Sequence, residues 1–133
     1  MSKPIPAGQD NLIPHLVIDG AAEAIDFYKK AFGAEELSRM PAPDGRRIMH
    51  AQIRIGSSIV MLADDFPEYC GGKASSPTAL KGTPVSIHRY VVDCDAAIKR
   101  AQDAGATVLM PATDMFWGDR YGVVIDPFGP TRM

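Results

Sequence analysis

Residues 21–34 read AAEAIDFYKKAFGA and residues 93–106 read DCDAAIKRAQDAGA. Both carry apolar residues at three- and four-residue steps: Ala21, Ala24, Ile25, Tyr28 and Phe32 in the first, Ala97, Ile98 and Ala101 in the second. That spacing places them on one helical face. Each stretch ends on Gly-Ala, at Gly33-Ala34 and at Gly105-Ala106, 72 positions apart. Glycine stops a helix because it enters the left-handed backbone region without a Cβ clash. The spacing predicts helices over 21–32 and 93–104.

The flanks repeat as well. Asn11 to Asp19 reads as a strand broken by Gly20, and Glu35–Met40, Arg46–Ile55 and Ile59–Ala63 read as three more, with turns at Pro43-Asp44-Gly45 and Gly56-Ser57-Ser58. Around the second helix, Pro84–Val92, Thr107–Met110 and Arg120–Asp126 read as strands. Pro111–Asp119 reads as a loop, Pro127-Phe128-Gly129 as a turn, and Pro130–Met133 as the start of a last strand. The order strand–helix–strand–strand–strand thus occurs twice. One such half is too small to bury both faces of its sheet. The expected fold is α+β: two tandem βαβββ modules forming a curved mixed sheet around a cleft, with the helices outside. The chain reads as a single domain, 1–133, with module one at about 11–64, a linker at about 65–82 and module two at about 83–133. The linker holds Pro67, Gly71-Gly72, Ser75-Ser76-Pro77 and Gly82, and Asp64, Asp65 and Glu68 form an acidic group at its start, after the strand. It reads as a connection between modules, with a lid over a site as the alternative.

Composition narrows the function classes. The chain has 133 residues, 46% of them apolar, and a formal net charge of -2. No basic stripe marks a nucleic-acid binder. No apolar run approaches the roughly 18 residues of a membrane span. The start, Met1-Ser2-Lys3-Pro4, has no signal-peptide core, so a cytoplasmic protein is expected. Cys70 and Cys94 lie far apart and form neither a disulfide framework nor a paired-cysteine zinc motif.

Several longer motifs are specific. Ala24 to Ala34 (AIDFYKKAFGA), Met49-His50-Ala51, Ile55 to Asp65 (IGSSIVMLADD), Phe116 to Gly122 (FWGDRYG) and Asp126-Pro127-Phe128-Gly129 together resemble the vicinal-oxygen-chelate, or glyoxalase/bleomycin-resistance/dioxygenase, superfamily, and within it the PhnB-like branch. The resemblance runs from about Leu12 to the end. It implies paired βαβββ modules, frequently a homodimer, and a small-molecule ligand in the cleft. Many members hold a divalent metal on the cleft floor as a Lewis acid, in isomerases, lyases and dioxygenases. Others hold no metal and bind a drug.

Carried over residue by residue, the family's four metal-ligand positions fall on Ile13, Met61, Ser86 and Met133, none a usual ligand for Zn, Ni, Fe or Mn. His15 lies two residues past Ile13, and His88 two past Ser86. Strand residues i and i+2 share a face. With His50 on a third strand, His15, His50 and His88 make a displaced metal set; the bland alternative is three strand histidines that hydrogen-bond locally. Trp117, Asp119, Arg120 and Tyr121 form the densest ligand-binding cluster, with Trp117 placed to stack and the charged pair to anchor a polar group. They read equally as a core cap and a surface turn. His50, Gln52 and Arg54 alternate along one strand face; turned to the cleft, the three would recognise a carbonyl or an anion, and turned to solvent they are its polar side. No nucleophile elbow, P-loop or dinucleotide fingerprint appears, and no glycine-rich turn after the first strand suggests a methyl-donor site. The last strand is short, and Pro130 lacks an N–H for its ladder. Either the chain continues beyond Met133 in the full protein, or the cleft is open on that side.

Two readings stand: a PhnB-like metal lyase, isomerase or dioxygenase using His15, His50 and His88, and a metal-free protein that binds a small polar or aromatic molecule. A homodimer is expected in both, with neither nucleic acid nor membrane as partner.

Overall fold

A computed structural model describes residues 12–69, 71–83 and 85–128. Strand β1 is His15–Ile18, helix α1 Ala21–Phe32, β2 Glu35–Pro41, β3 Ile48–Ile55 and β4 Ser58–Asp64. The sheet order is β1-β4-β3-β2, with β1 parallel to β4 and the other pairs antiparallel. This is one βαβββ module. In the second, α3 is Cys94–Ala104, β5 Thr107–Asp114 and β6 Arg120–Ile125, the two strands pairing antiparallel. Between the modules lie a 3-10 turn, Pro67–Tyr69, and a short helix α2, Pro77–Leu80. The fold is α+β with open, curved sheets, as the repeat predicts. No helix among the described residues is long and apolar enough to cross a membrane.

Helix α1 forms over the span its periodicity predicts. Ala21, Ala24, Ile25 and Tyr28 are buried, and Phe32 is partly so. Gly33, at φ +67°, turns the chain, so that its N–H donates to the Lys29 carbonyl and that of Ala34 to the Tyr28 carbonyl. At the other end Gly20 brings no capping side chain. Asp64, the last residue of β4, does the work instead: Oδ1 accepts from the N–H groups of Gly20 (3.0 Å) and Ala21 (3.1 Å), and Oδ2 from that of Ile48 (2.7 Å). A carboxylate at a helix N-terminus is also favoured by the helix dipole.

The modules share one core. Ile18, Ile25, Ile53 and Leu62 of the first are continuous with Ala101, Ala106 and Val124 of the second, and α1 packs on α3. Tyr28 of α1 donates its hydroxyl to Asp126 Oδ2 at 2.9 Å, both residues being buried.

Three details depart from the sequence expectation. The stretch Pro84–Val92 is not a strand over its described residues, which hold an isolated bridge at Ser86. β1 is a strand because β4 gives it a parallel ladder; residues 85–92 have no such neighbour among the described residues, and Val85, Tyr90 and Val92 are exposed. The described strands are accordingly six, in two sheets. β1 is also shorter than Asn11–Asp19. β5 runs on to Asp114, taking in Pro111, because the register shift between Met110 and Thr113 spans it and removes the need for its missing N–H. The expected last strand, Pro130–Met133, lies outside the described residues.

The segment after β4 is held against module one. Arg47 Nε and Nη2 pair with Asp44 (2.8 Å) and Glu68 (2.6 Å), its Nη1 reaches the Asp65 carbonyl, and its guanidinium lies 4.3 Å from the Phe66 ring centre. Asp65 Oδ2 accepts from the N–H groups of Ser75 and Ser76.

Two predictions follow from these contacts. Asp64→Ala strands three N–H groups and is expected to cost on the order of 3 kcal/mol or more, and Tyr28→Phe about 1.5–3 kcal/mol, in urea unfolding; a loss within error for both would show these bonds to be dispensable. Hydrogen bonding to Arg47 holds the Glu68 carboxyl below its usual range, and backbone N–H groups of Arg47 and Arg46 do the same for Asp44. Depressed folded values mean that this stabilisation is complete above the ordinary carboxylate value of about 4 and fades below it. Amide protection at Phe66, Glu68 and Tyr69 is therefore expected to fall as the pH drops below about 4, and Arg47→Met to remove that pH dependence.

Candidate functional site on the open sheet faces

The site follows from strand register. Residues paired across strands point to the same side of a sheet, as do residues two apart along a strand. Leu16, Leu62, Ala51 and Ile53 turn to the α1 side and pack in the core. The opposite face is therefore open. His15 stands beside Met61, Met61 beside Gln52 and Gln52 beside Ser38, a row across four strands. The next row holds Val17, Ala63, His50 and Met40. Ring centres of His15 and His50 are 6.0 Å apart, with a 31° tilt. His15 is exposed, and His50 and Gln52 are half-buried. Arg54 shares the face and pairs with Glu35 at its rim.

The expected third histidine is elsewhere. His88 is exposed, stacks on Tyr121 (5.9 Å, 16°) and meets Tyr90 edge-on (4.8 Å). Among the described residues, no group of three His, Cys, Asp or Glu side chains could hold a metal ion. Of the family's ligand positions, Ile13 and Met61 are half-buried and Ser86 exposed, while Met133 lies outside the described residues. A catalytic zinc needs three protein ligands and an open position. Among the described residues His15 and His50, beside the Met61 thioether, supply two imidazoles toward that set.

The tryptophan loop makes a second surface. Trp117 is half-exposed and meets Phe116 (5.0 Å) and Tyr121 (6.1 Å) edge-on, so Trp117, Tyr121, His88 and Tyr90 form a continuous aromatic chain. Asp119 Oδ2 accepts from Trp117 Nε1 at 3.0 Å, which orients the indole. Arg120 grips Asp95 of α3 through Nε (2.7 Å) and Nη2 (2.9 Å) and reaches Asp114. Hydrogen bonding from Arg120 holds the Asp95 carboxyl below its usual range. A cavity of about 550 Å3 opens between residues 88–95 and 118–122, bounded by His88, Tyr90, Arg120 and Tyr121. The predicted cluster is thus brought together, with His88 and Tyr90 added. Sequence reading missed Tyr90, whose only signal was its position two residues past His88.

A profile of the Glyoxalase/Bleomycin resistance protein/Dioxygenase superfamily matches residues 12–131. Uncharacterized protein Mb0911c of Mycobacterium bovis is 60% identical over 118 residues, 89% of this chain and 77% of that protein. Uncharacterized protein Rv0887c of Mycobacterium tuberculosis has the same identity over the same share of this chain and 69% of its own length. Among solved structures, TioX from Micromonospora sp. ML1 superposes with a TM-score of 0.69 at 28% identity, covering 92% of this chain and 95% of that one. A gene product from Arabidopsis thaliana does so with a TM-score of 0.71 at 25% identity, over the same shares. With the profile covering nearly the whole chain, this protein belongs to the glyoxalase/bleomycin resistance protein/dioxygenase superfamily.

Proposed function

We propose that this chain is a PhnB-like member that binds a small polar or aromatic molecule against its open sheet faces without a metal, as a cytoplasmic homodimer. The observation that carries the reading is the aromatic chain of exposed Trp117, His88 and Tyr90 and half-buried Tyr121 beside a cavity. Soluble monomers seldom expose such apolar area without a binding role. In this reading Trp117 and Tyr121 stack on a planar ligand, Asp119 sets the angle of the indole, and Arg120 holds the hairpin to α3. His15, His50 and Gln52 supply hydrogen-bonding groups to a carbonyl or hydroxyl on the other open face. Exposed Val85, Val92, Leu109 and Phe116 support a second copy as the partner. Neither nucleic acid nor membrane figures in the reading.

The adjacency of His15 and His50 favours a second reading, in which His88 joins them around Zn, Ni, Fe or Mn in a lyase, isomerase or dioxygenase. Metal analysis of protein purified without chelator separates the two. The binding reading expects substoichiometric metal and quenching of Trp117, the single tryptophan, by 1-naphthol. Trp117→Ala is expected to weaken that binding about 2- to 12-fold by calorimetry, the worth of a ring contact of roughly 0.5–1.5 kcal/mol. One equivalent of metal per chain, lost together in His15→Ala and His50→Ala, would overturn it.

A further inference from the structure

A second cavity, of about 310 Å3, lies where α1, α3 and β6 meet and shares Arg89, Val91, Cys94 and Gly122 with the cavity beside the aromatic chain. That is the lower end of the range for small-ligand sites, about 300–1,000 Å3. Its walls are apolar, from Phe32, Ile98 and Val124 among others, and Gly122 adds no side chain to fill it. Arg89, Arg100 and Cys94 also line it.

The charge around the cavity is one-sided. Arg89 Nη1 donates to the Phe32 carbonyl (3.4 Å), and Arg100 donates to the carbonyls of Lys30 (2.8 Å) and Lys29 (3.5 Å). These are backbone partners at the end of α1. Among the described residues neither guanidinium forms an ion pair with a carboxylate. Each keeps donors to spare, since a guanidinium has five. The first turn of α3 lines the same cavity through Cys94 and Ala97, and its end of the helix dipole is positive. The acidic groups of that turn are engaged: Asp93 caps the Ala96 N–H, and Asp95 is held by Arg120. An apolar chamber with two guanidinium groups uncompensated by carboxylates complements one class of ligand.

We propose that this inter-helix cavity is a second binding site, which takes a small apolar carboxylate with its tail among Phe32, Ile98 and Val124 and its charge on Arg89 and Arg100. The half-buried Cys94 thiol then lies beneath the ligand. The site adjoins the aromatic surface but has Ala31, Phe32, Ile98 and Val124 to itself, so octanoate protection that persists in Trp117→Ala and is lost in Ala97→Phe separates it from the reading above.

Thiol protection tests it. The chain has two cysteines, so Cys70→Ser leaves Cys94 as the sole thiol. Octanoate is expected to slow alkylation of Cys94 by N-ethylmaleimide roughly fivefold when present at several times its dissociation constant. Octan-1-ol at the same concentration is expected to give little protection. Arg89→Gln should remove the octanoate effect and Arg89→Lys retain it, with circular dichroism confirming the fold of each. Ala97→Phe, which fills the chamber, should also remove it. Absence of octanoate protection in the Cys70→Ser protein would refute the site, as would equal protection by octan-1-ol or full protection in the folded Arg89→Gln variant.

Discussion

The hydrogen bond from Tyr28 to Asp126 spans 98 positions of sequence within the shared core. Its donor lies on the buried face of α1 and its acceptor just after β6, so it ties the helix of one module to the sheet of the other. Asp126 is further constrained because its Oδ1 accepts from the Phe128 N–H, closing the turn that follows. A buried polar pair of this kind tolerates little displacement, since a group that loses its partner has no water to replace it. It therefore fixes how the two halves meet, while apolar contacts, including those between α1 and α3, bury the surface around it. Asp64 plays the same part within module one, locking the start of α1 to the end of β4 and to β3.

With the helices packed together, each sheet has one face left without a helix. The functional residues are distributed accordingly. His15, His50 and Gln52 stand on the open face of module one because register allows nothing else once Leu16, Ala51 and Leu62 are in the core. The aromatic chain of module two is held by charged contacts around it: Asp119 on the indole, and Arg120 between Asp95 and Asp114. Such exposed ion pairs add little to stability, but they fix orientation. Arg100 and Arg89 do something different, binding carbonyls at the end of α1 and keeping a positive rim on the cavity behind β6.

Much was legible in the chain itself. Three- and four-residue apolar spacing and the Gly-Ala stops placed both long helices, because amphipathic periodicity is a local property. Alternation along Ile48–Ile55 placed His50 and Gln52 on one face for the same reason. The failure at Pro84–Val92 is also physical. Its apolar, β-branched residues satisfy strand propensity, but a strand needs a ladder neighbour, and that is a property of the assembled sheet. The grouping of His15, His50 and His88 failed on the same segment: symmetry of the repeat related two of the rings, but His88 sits on backbone that does not continue the sheet, and it turned to Tyr90 and Tyr121.

Sequence alone determined the α+β class, the superfamily and the faces of the individual elements, since each rests on short-range patterning. Tertiary structure decided which imidazoles meet, why Asp64 and Asp126 are buried, and where the arginines surround a cavity. Those outcomes depend on contacts between residues far apart in the chain, set by how packed elements meet rather than by any local spacing.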